Sequence, residues 1–68
     1  MDKISAQFGK NMKRIRAKKE MSQGDIERAL EVDRGYISNV ENGKKNSTLA
    51  TVAKIANALG VSPDELLK

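Results

Sequence analysis

The groups in this 68-residue chain best suited to chemistry fall in one short stretch: Arg34, Gly35, Ser38, Asn39 and Asn42, followed at once by Gly43-Lys44-Lys45-Asn46. At 100° per residue on a helix, Asp33, Tyr36, Ile37 and Val40 share one side, and the five named residues spread over the other. That outer side carries a guanidinium fork, a hydroxyl and two amides, with no aliphatic bulk. Such groups read base edges in a major groove or hold phosphate oxygens. A plain solvated face uses the same residue types. Gly35 weighs against the plainer use, because glycine costs a helix about 1 kcal/mol relative to alanine and lets the backbone approach another surface. The two adjacent lysines suit a nucleic-acid backbone or, equally, an ordinary surface turn.

Other kinds of chemistry are poorly supplied. The chain has no cysteine and no histidine, which removes disulfides, the usual zinc ligands and most nucleophile–base pairs. Ser5 and Ser62 are explained by capping or surface positions, and no phosphate-cradling loop or nucleophile elbow occurs. The sequence predicts no enzyme, no metal and no cofactor. Thirteen Lys and Arg against nine Asp and Glu give a net charge of +4, unevenly placed. Residues 1–20 hold seven cations against Asp2 and Glu20, whereas residues 21–33 hold Arg28 against four carboxylates. Residues 34–45 are basic again, with Arg34, Lys44 and Lys45 against Glu41. Clustered positive charge points to a polyanion partner. No run approaches the ~20 apolar residues of a membrane span, and the polar N-terminus has no signal-peptide core. The chain reads as soluble and cytoplasmic, with no membrane partner; the cations of its first helix are scattered around it.

The elements that must position these groups are helices throughout. Ile4, Phe8, Met12 and Ile15 form one stripe on a first helix of about residues 3–19. Ser22 and Asp25 form a short capping box for a second helix of about 23–30, with Ile26, Ala29 and Leu30 on its buried side. Asp33 is the expected cap of a third helix, holding Ile37 and Val40 and stopping before Gly43. Thr48 caps a fourth, with Leu49, Val52, Ala53, Ala56 and Leu59 as its stripe, ended by Gly60. Ser62-Pro63-Asp64-Glu65 opens a fifth, with Leu66 and Leu67. No stretch alternates long enough for a strand. The fold class is all-α, a five-helix bundle in a single domain spanning 1–68. Glu31-Val32-Asp33 alone joins the second and third helices, a helix-turn-helix unit over about residues 22–42. Glu41 sits in the last turn of the third helix, where the macrodipole disfavours an anion; Arg16 is its predicted partner, a planar donor fork suited to a carboxylate.

From Ile15 onward the chain resembles the lambda-repressor-like helix-turn-helix proteins, the Cro/CI or Xre-type transcription regulators. The matching residues are Arg16, Met21-Ser22-Gln23, Ile26, Tyr36-Ile37-Ser38, Val40-Glu41-Asn42-Gly43, Thr48-Leu49, Ile55-Ala56 and Ala58-Leu59-Gly60-Val61. The resemblance implies a homodimer on a palindromic double-stranded DNA operator, with the third helix in the major groove. It implies base reading by Arg34, Gly35, Ser38 and Asn39. Phosphate contacts fall to Gln23, Lys44, Lys45 and Asn46, with Ser22 and Tyr36 counted beside them. Arg16 and Glu41 match the family's internal ion pair. Leu59, Val61, Leu66 and Leu67 are the candidate dimer surface, although in so small a domain all four can equally close the core. The sequence depicts a bacterial or phage-encoded regulator without a small-molecule effector. Asp33-Arg34-Gly35-Tyr36-Ile37-Ser38 with Lys45-Asn46 is similar to the controller proteins of restriction–modification systems. The rival from another class is an antitoxin-type protein-interaction module, for which DNA binding is secondary.

Three positions depart from the family pattern. Glu27 replaces a small alanine and is expected to loosen the packing of two helices. Glu31 replaces a turn glycine and is expected at positive φ. Ser47 replaces a common proline before the fourth helix.

Overall fold

The computed structural model describes residues 3–45 and 48–68. Five helices follow one another: α1 (Lys3–Lys18), α2 (Gln23–Leu30), α3 (Tyr36–Glu41), α4 (Leu49–Leu59) and α5 (Pro63–Leu67). No strand occurs among the described residues, and none of their helices is long and apolar enough to cross a membrane.

The helix starts follow the polar side chains anticipated for them, with one exception. The Ser22 hydroxyl accepts the Asp25 N–H at 3.0 Å, and the Asp25 carboxylate accepts the Ser22 N–H at 2.8 Å. That exchange, led by the Ser22 backbone N–H, holds the Asp25 carboxyl below the usual carboxylate range. The Thr48 hydroxyl accepts the Thr51 N–H at 3.2 Å, and the Glu65 carboxylate accepts the Ser62 N–H at 3.3 Å. The exception is α3. Asp33 contributes its backbone carbonyl to the Tyr36 N–H at 3.1 Å rather than a side-chain cap. The helix starts two residues later, at Gly35, whose φ of 89° is left-handed and which has no side-chain cap. The connection between α2 and α3 is therefore Glu31–Gly35, longer than the three residues expected.

Four helices end in the same way. Glu20, Glu31, Gly43 and Gly60 have φ of 57°, 56°, 72° and 74°. The next N–H in each case returns to a carbonyl five residues back: Met21 to Arg16, Val32 to Glu27, Lys44 to Asn39 and Val61 to Ala56. This double-return ending satisfies carbonyls that the helix leaves open. At two of these ends a glutamate does what glycine usually does. Glu31 is anticipated from the sequence; Glu20 is not. A non-glycine residue in this conformation costs roughly 1–2 kcal/mol, part of which glycine returns by loosening the unfolded chain. Glu31→Gly is thus expected to stabilise by about 0.5–1 kcal/mol, raising the melting temperature by a few degrees. Thermal circular dichroism reads this directly, and a fall in melting temperature would show that Glu31 supplies something its backbone angle hides.

All five helices contribute to one core: Phe8, Met12 and Ile15 from α1, Ile26 from α2, and Ile37 and Val40 from α3. Val52, Ile55, Ala56 and Leu59 come from α4, and Leu66 from α5. Several stripe residues lie outside it. Ile4 is 75% exposed, so α1 reaches the core one turn later, at Phe8. Leu49 is 83% exposed, and Ala53 and Ala29 also face solvent. At 100° per residue the α4 face centres on Val52, Ile55, Ala56 and Leu59, which leaves Leu49 and Ala53 beyond its edge. A polar group, Asn11, is buried instead: its amide donates to the carbonyls of Leu66 at 2.8 Å and Lys68 at 3.0 Å, tying α1 to the end of α5.

Candidate nucleic-acid interface

The proposed reading elements stand on a buried polar junction. Glu41, at the end of α3, has a side chain only 2% exposed. Its carboxylate accepts from Arg16 Nε at 2.6 Å and Nη2 at 3.2 Å, a two-pronged pairing from α1. Arg16 Nη1 also donates to the Met21 carbonyl at 2.8 Å, in the turn before α2. The hydrogen bond that Arg16 donates to Glu41, reinforced by the charge of the carboxylate, raises the pKa of an already charged guanidinium further. Gln23, first residue of α2, joins the same junction through Nε2, which donates to Glu41 Oε1 at 2.9 Å. Three helices thus meet on one carboxylate, and the adverse dipole position of Glu41 is offset by a cation. An amide nitrogen carries two hydrogens, so Gln23 keeps one that Glu41 does not take.

Around this junction the structure brings most of the anticipated residues to the surface. Arg34, Ser22, Asn42, Lys44 and Lys45 are exposed, while Gly35, Tyr36, Ser38, Asn39 and Gln23 are half-buried. Arg34 and Gly35 precede α3 rather than riding on it; Ser38 and Asn39 lie within the helix. Lys45 Nζ lies 5.1 Å from the Tyr36 ring centroid, joining the basic loop to the first residue of α3. Such contacts contribute about 0.5–1 kcal/mol at exposed sites. Asn46 and Ser47 lie outside the described residues.

The expected dimer residues divide. Leu59 and Leu66 are 2% and 0% exposed and belong to the core, so they present no surface to a partner. In a chain this short the apolar side chains nearest the end of α4 and in α5 are needed to close the interior. Val61 is half-buried and Leu67 is 48% exposed. Glu27 also departs from expectation. Its carboxylate accepts the Gly35 N–H at 2.9 Å, joining α2 to the start of α3. Its only sequence signal is its size, where the resemblance calls for alanine.

These features are those of a helix-turn-helix DNA-binding domain, and the chain belongs to the Helix-turn-helix family, which it matches over residues 12–66. Among individual relatives, it is similar to control protein C.MunI of Mycoplasma sp., at 37% identity over 67 residues, which is 97% of this chain and 90% of that protein. Among solved structures, it is similar to the restriction-modification controller protein C.AhdI from Aeromonas hydrophila. The TM-score there is 0.85 at 34% identity, covering 91% of this chain and 94% of the other. It also resembles the controller protein C.Esp1396I, solved as a tetramer in complex with its natural 35 base-pair operator. The TM-score is 0.83 at 29% identity, over the full length of both chains.

Proposed function

We propose that this chain is a transcriptional regulator that binds a palindromic double-stranded operator as a homodimer, with α3 in the major groove. The observation that carries the reading is the polar surface made by exposed Arg34, Asn42, Lys44 and Lys45 with half-buried Ser38 and Asn39, set on three helices that converge on the buried Glu41 carboxylate. Arg34, Ser38 and Asn39 are the base readers, aided by the close backbone at Gly35. Arginine bidentate to guanine discriminates by about 1–3 kcal/mol. Lys44, Lys45, Asn46, Tyr36, Ser22 and the free amide hydrogen of Gln23 hold phosphates. The operator complex of C.Esp1396I supports this assignment by kinship. One such domain offers limited contact, so two subunits share the site, with half-sites about 34 Å apart. Val61 and Leu67 are the side chains left to contribute to the subunit contact. The protein acts in the bacterial cytoplasm on DNA and catalyses no reaction.

Selection from a randomised DNA pool across a salt series tests the reading. The expected product is a palindromic motif, bound with a log–log salt slope of about −5, or roughly six phosphates per dimer. Arg34→Ala is expected to relax one base position in each half-site and leave the slope nearly unchanged. Weak binding without an enriched motif would reduce the surface to a generic polyanion patch.

A further inference from the structure

Glu27 holds both ends of the connection between α2 and α3. Its backbone carbonyl accepts the N–H groups of Glu31 and Val32, closing α2. Its carboxylate reaches eight residues ahead to accept the Gly35 N–H at 2.9 Å. That bond is made where α3 lacks a side-chain cap of its own. A carboxylate on a backbone N–H at a helix start is a charge-assisted bond, favoured by the helix dipole. Gly35 is left-handed, and a Cβ built there meets nothing within 4 Å. Glycine is thus required by the backbone angle and not by crowding. Arg34, the residue just before this anchored N–H, is exposed and lines one shallow cleft together with Glu27 and Glu31.

We propose that Glu27 is a positioning residue for base recognition: by holding the Gly35 N–H it fixes the turn from which Arg34 projects toward its base pair. The inference rests on the DNA-binding reading above. A two-pronged arginine contact tolerates little displacement, so a turn anchored before DNA arrives presents the guanidinium already oriented. Glu27 itself need not touch DNA. Its loss should degrade discrimination at the Arg34-read base pair while leaving the phosphate contacts intact.

The test is a double-mutant cycle on the full chain with the selected operator. The readout is the ratio of affinities for the operator and for a version altered at the Arg34-read base pair. Circular dichroism confirms that each variant is folded at the assay temperature. Glu27→Ala is expected to lower the ratio about fivefold to tenfold, part of the discrimination that one bidentate contact supplies. Glu27→Gln retains an accepting oxygen and should lower it less than about twofold, with the salt slope the same throughout. In an Arg34→Ala background, Glu27→Ala should change the ratio by less than about twofold. Equal losses with and without Arg34, or an unchanged ratio in Glu27→Ala, overturn the proposal while leaving the regulator reading standing. A parent protein with no sequence preference overturns both. The Gly35 amide proton resonance, followed without DNA, separates these cases: it should shift upfield in Glu27→Ala, and an unmoved resonance overturns the anchoring bond itself.

Discussion

Arg16→Ala is expected to leave the chain largely unfolded at room temperature, the largest effect of any single substitution considered for this protein. The reason is the asymmetry between a buried pair and a buried orphan. Arg16 and Glu41 together gain little over apolar side chains of similar volume, because both were drawn from water. Removing Arg16 alone leaves a carboxylate 2% exposed, with the Gln23 amide still on it but no cation paired to it among the described residues. Breaking such a pair costs about 3–5 kcal/mol. A domain of this length holds about 3–10 kcal/mol in all. Urea titration followed by circular dichroism should show the midpoint lowered by about 3 M or more, given a slope near ~1 kcal/mol/M for so short a chain. Replacing both partners, Arg16→Met with Glu41→Leu, should recover much of the loss. A double variant as unstable as Arg16→Ala would show that the fold depends on the charges themselves. The single variant should also lose operator binding, because a largely unfolded chain no longer holds α2 and α3 together.

Gly9→Ala should rank second, and its sign is diagnostic. Alanine improves helix propensity by about 1 kcal/mol, so in open space the substitution would stabilise α1. At Gly9 the added Cβ would lie 2.5 Å from the Glu41 carbonyl oxygen and 2.6 Å from that of Val40. Both obstacles are backbone, so no side-chain rotation relieves them, and α1 must move away from the end of α3. Overpacking of this kind costs about 1–3 kcal/mol and occasionally more. Here the displacement also stretches the Arg16–Glu41 pairing between the same two helices, so a net loss of at least about 2 kcal/mol is expected. Gly24→Ala is the matched control. Its Cβ would meet the Arg28 Nη1 at 3.3 Å, the far end of a flexible chain, so it should be neutral or mildly stabilising. Thermal melts of the pair settle the point; a stabilised Gly9→Ala would mean that the two helices are not in close contact there.

What could be read in advance follows the range of the interactions involved. The Ser22–Asp25 box, the Thr48 cap and the Ser62-Pro63-Glu65 start act within three residues, so sequence alone locates them. The Arg16–Glu41 pair spans 25 residues yet is legible, because an anion in the last turn of a helix calls for a cation and the family resemblance points to Arg16 among the arginines. The start of α3 is not. Asp33 is a suitable cap by type, yet the helix starts at Gly35, whose N–H is held by a carboxylate from the previous helix, a contact invisible to local reasoning. Asn11 gave no signal at all, since its partners are two backbone carbonyls at the far end of the chain. Leu49 and Ile4 fall on the expected stripes yet lie outside the core, because helical spacing identifies a stripe without saying where the opposing surface ends. Among the site residues, exposure follows from residue type at Arg34, Lys44 and Lys45, whereas Ser38 and Asn39 are half-buried. The division of the four dimer candidates, with Leu59 and Leu66 buried, Val61 half-buried and Leu67 exposed, depends on how little apolar material this domain has to fill its centre.

The amide of Asn11 reaches across 55 residues to Leu66, and this has a consequence for the order of assembly in the cell. A ribosome adding about 5–20 residues per second takes roughly 3–14 s to make a chain of this length. During synthesis α1 spends most of that interval without the carbonyls that its buried amide needs, and without the end of α3 that closes over Gly9. The environment of α1 is thus completed only after α5 has been made, and a chain lacking α5 holds a buried amide without its acceptors.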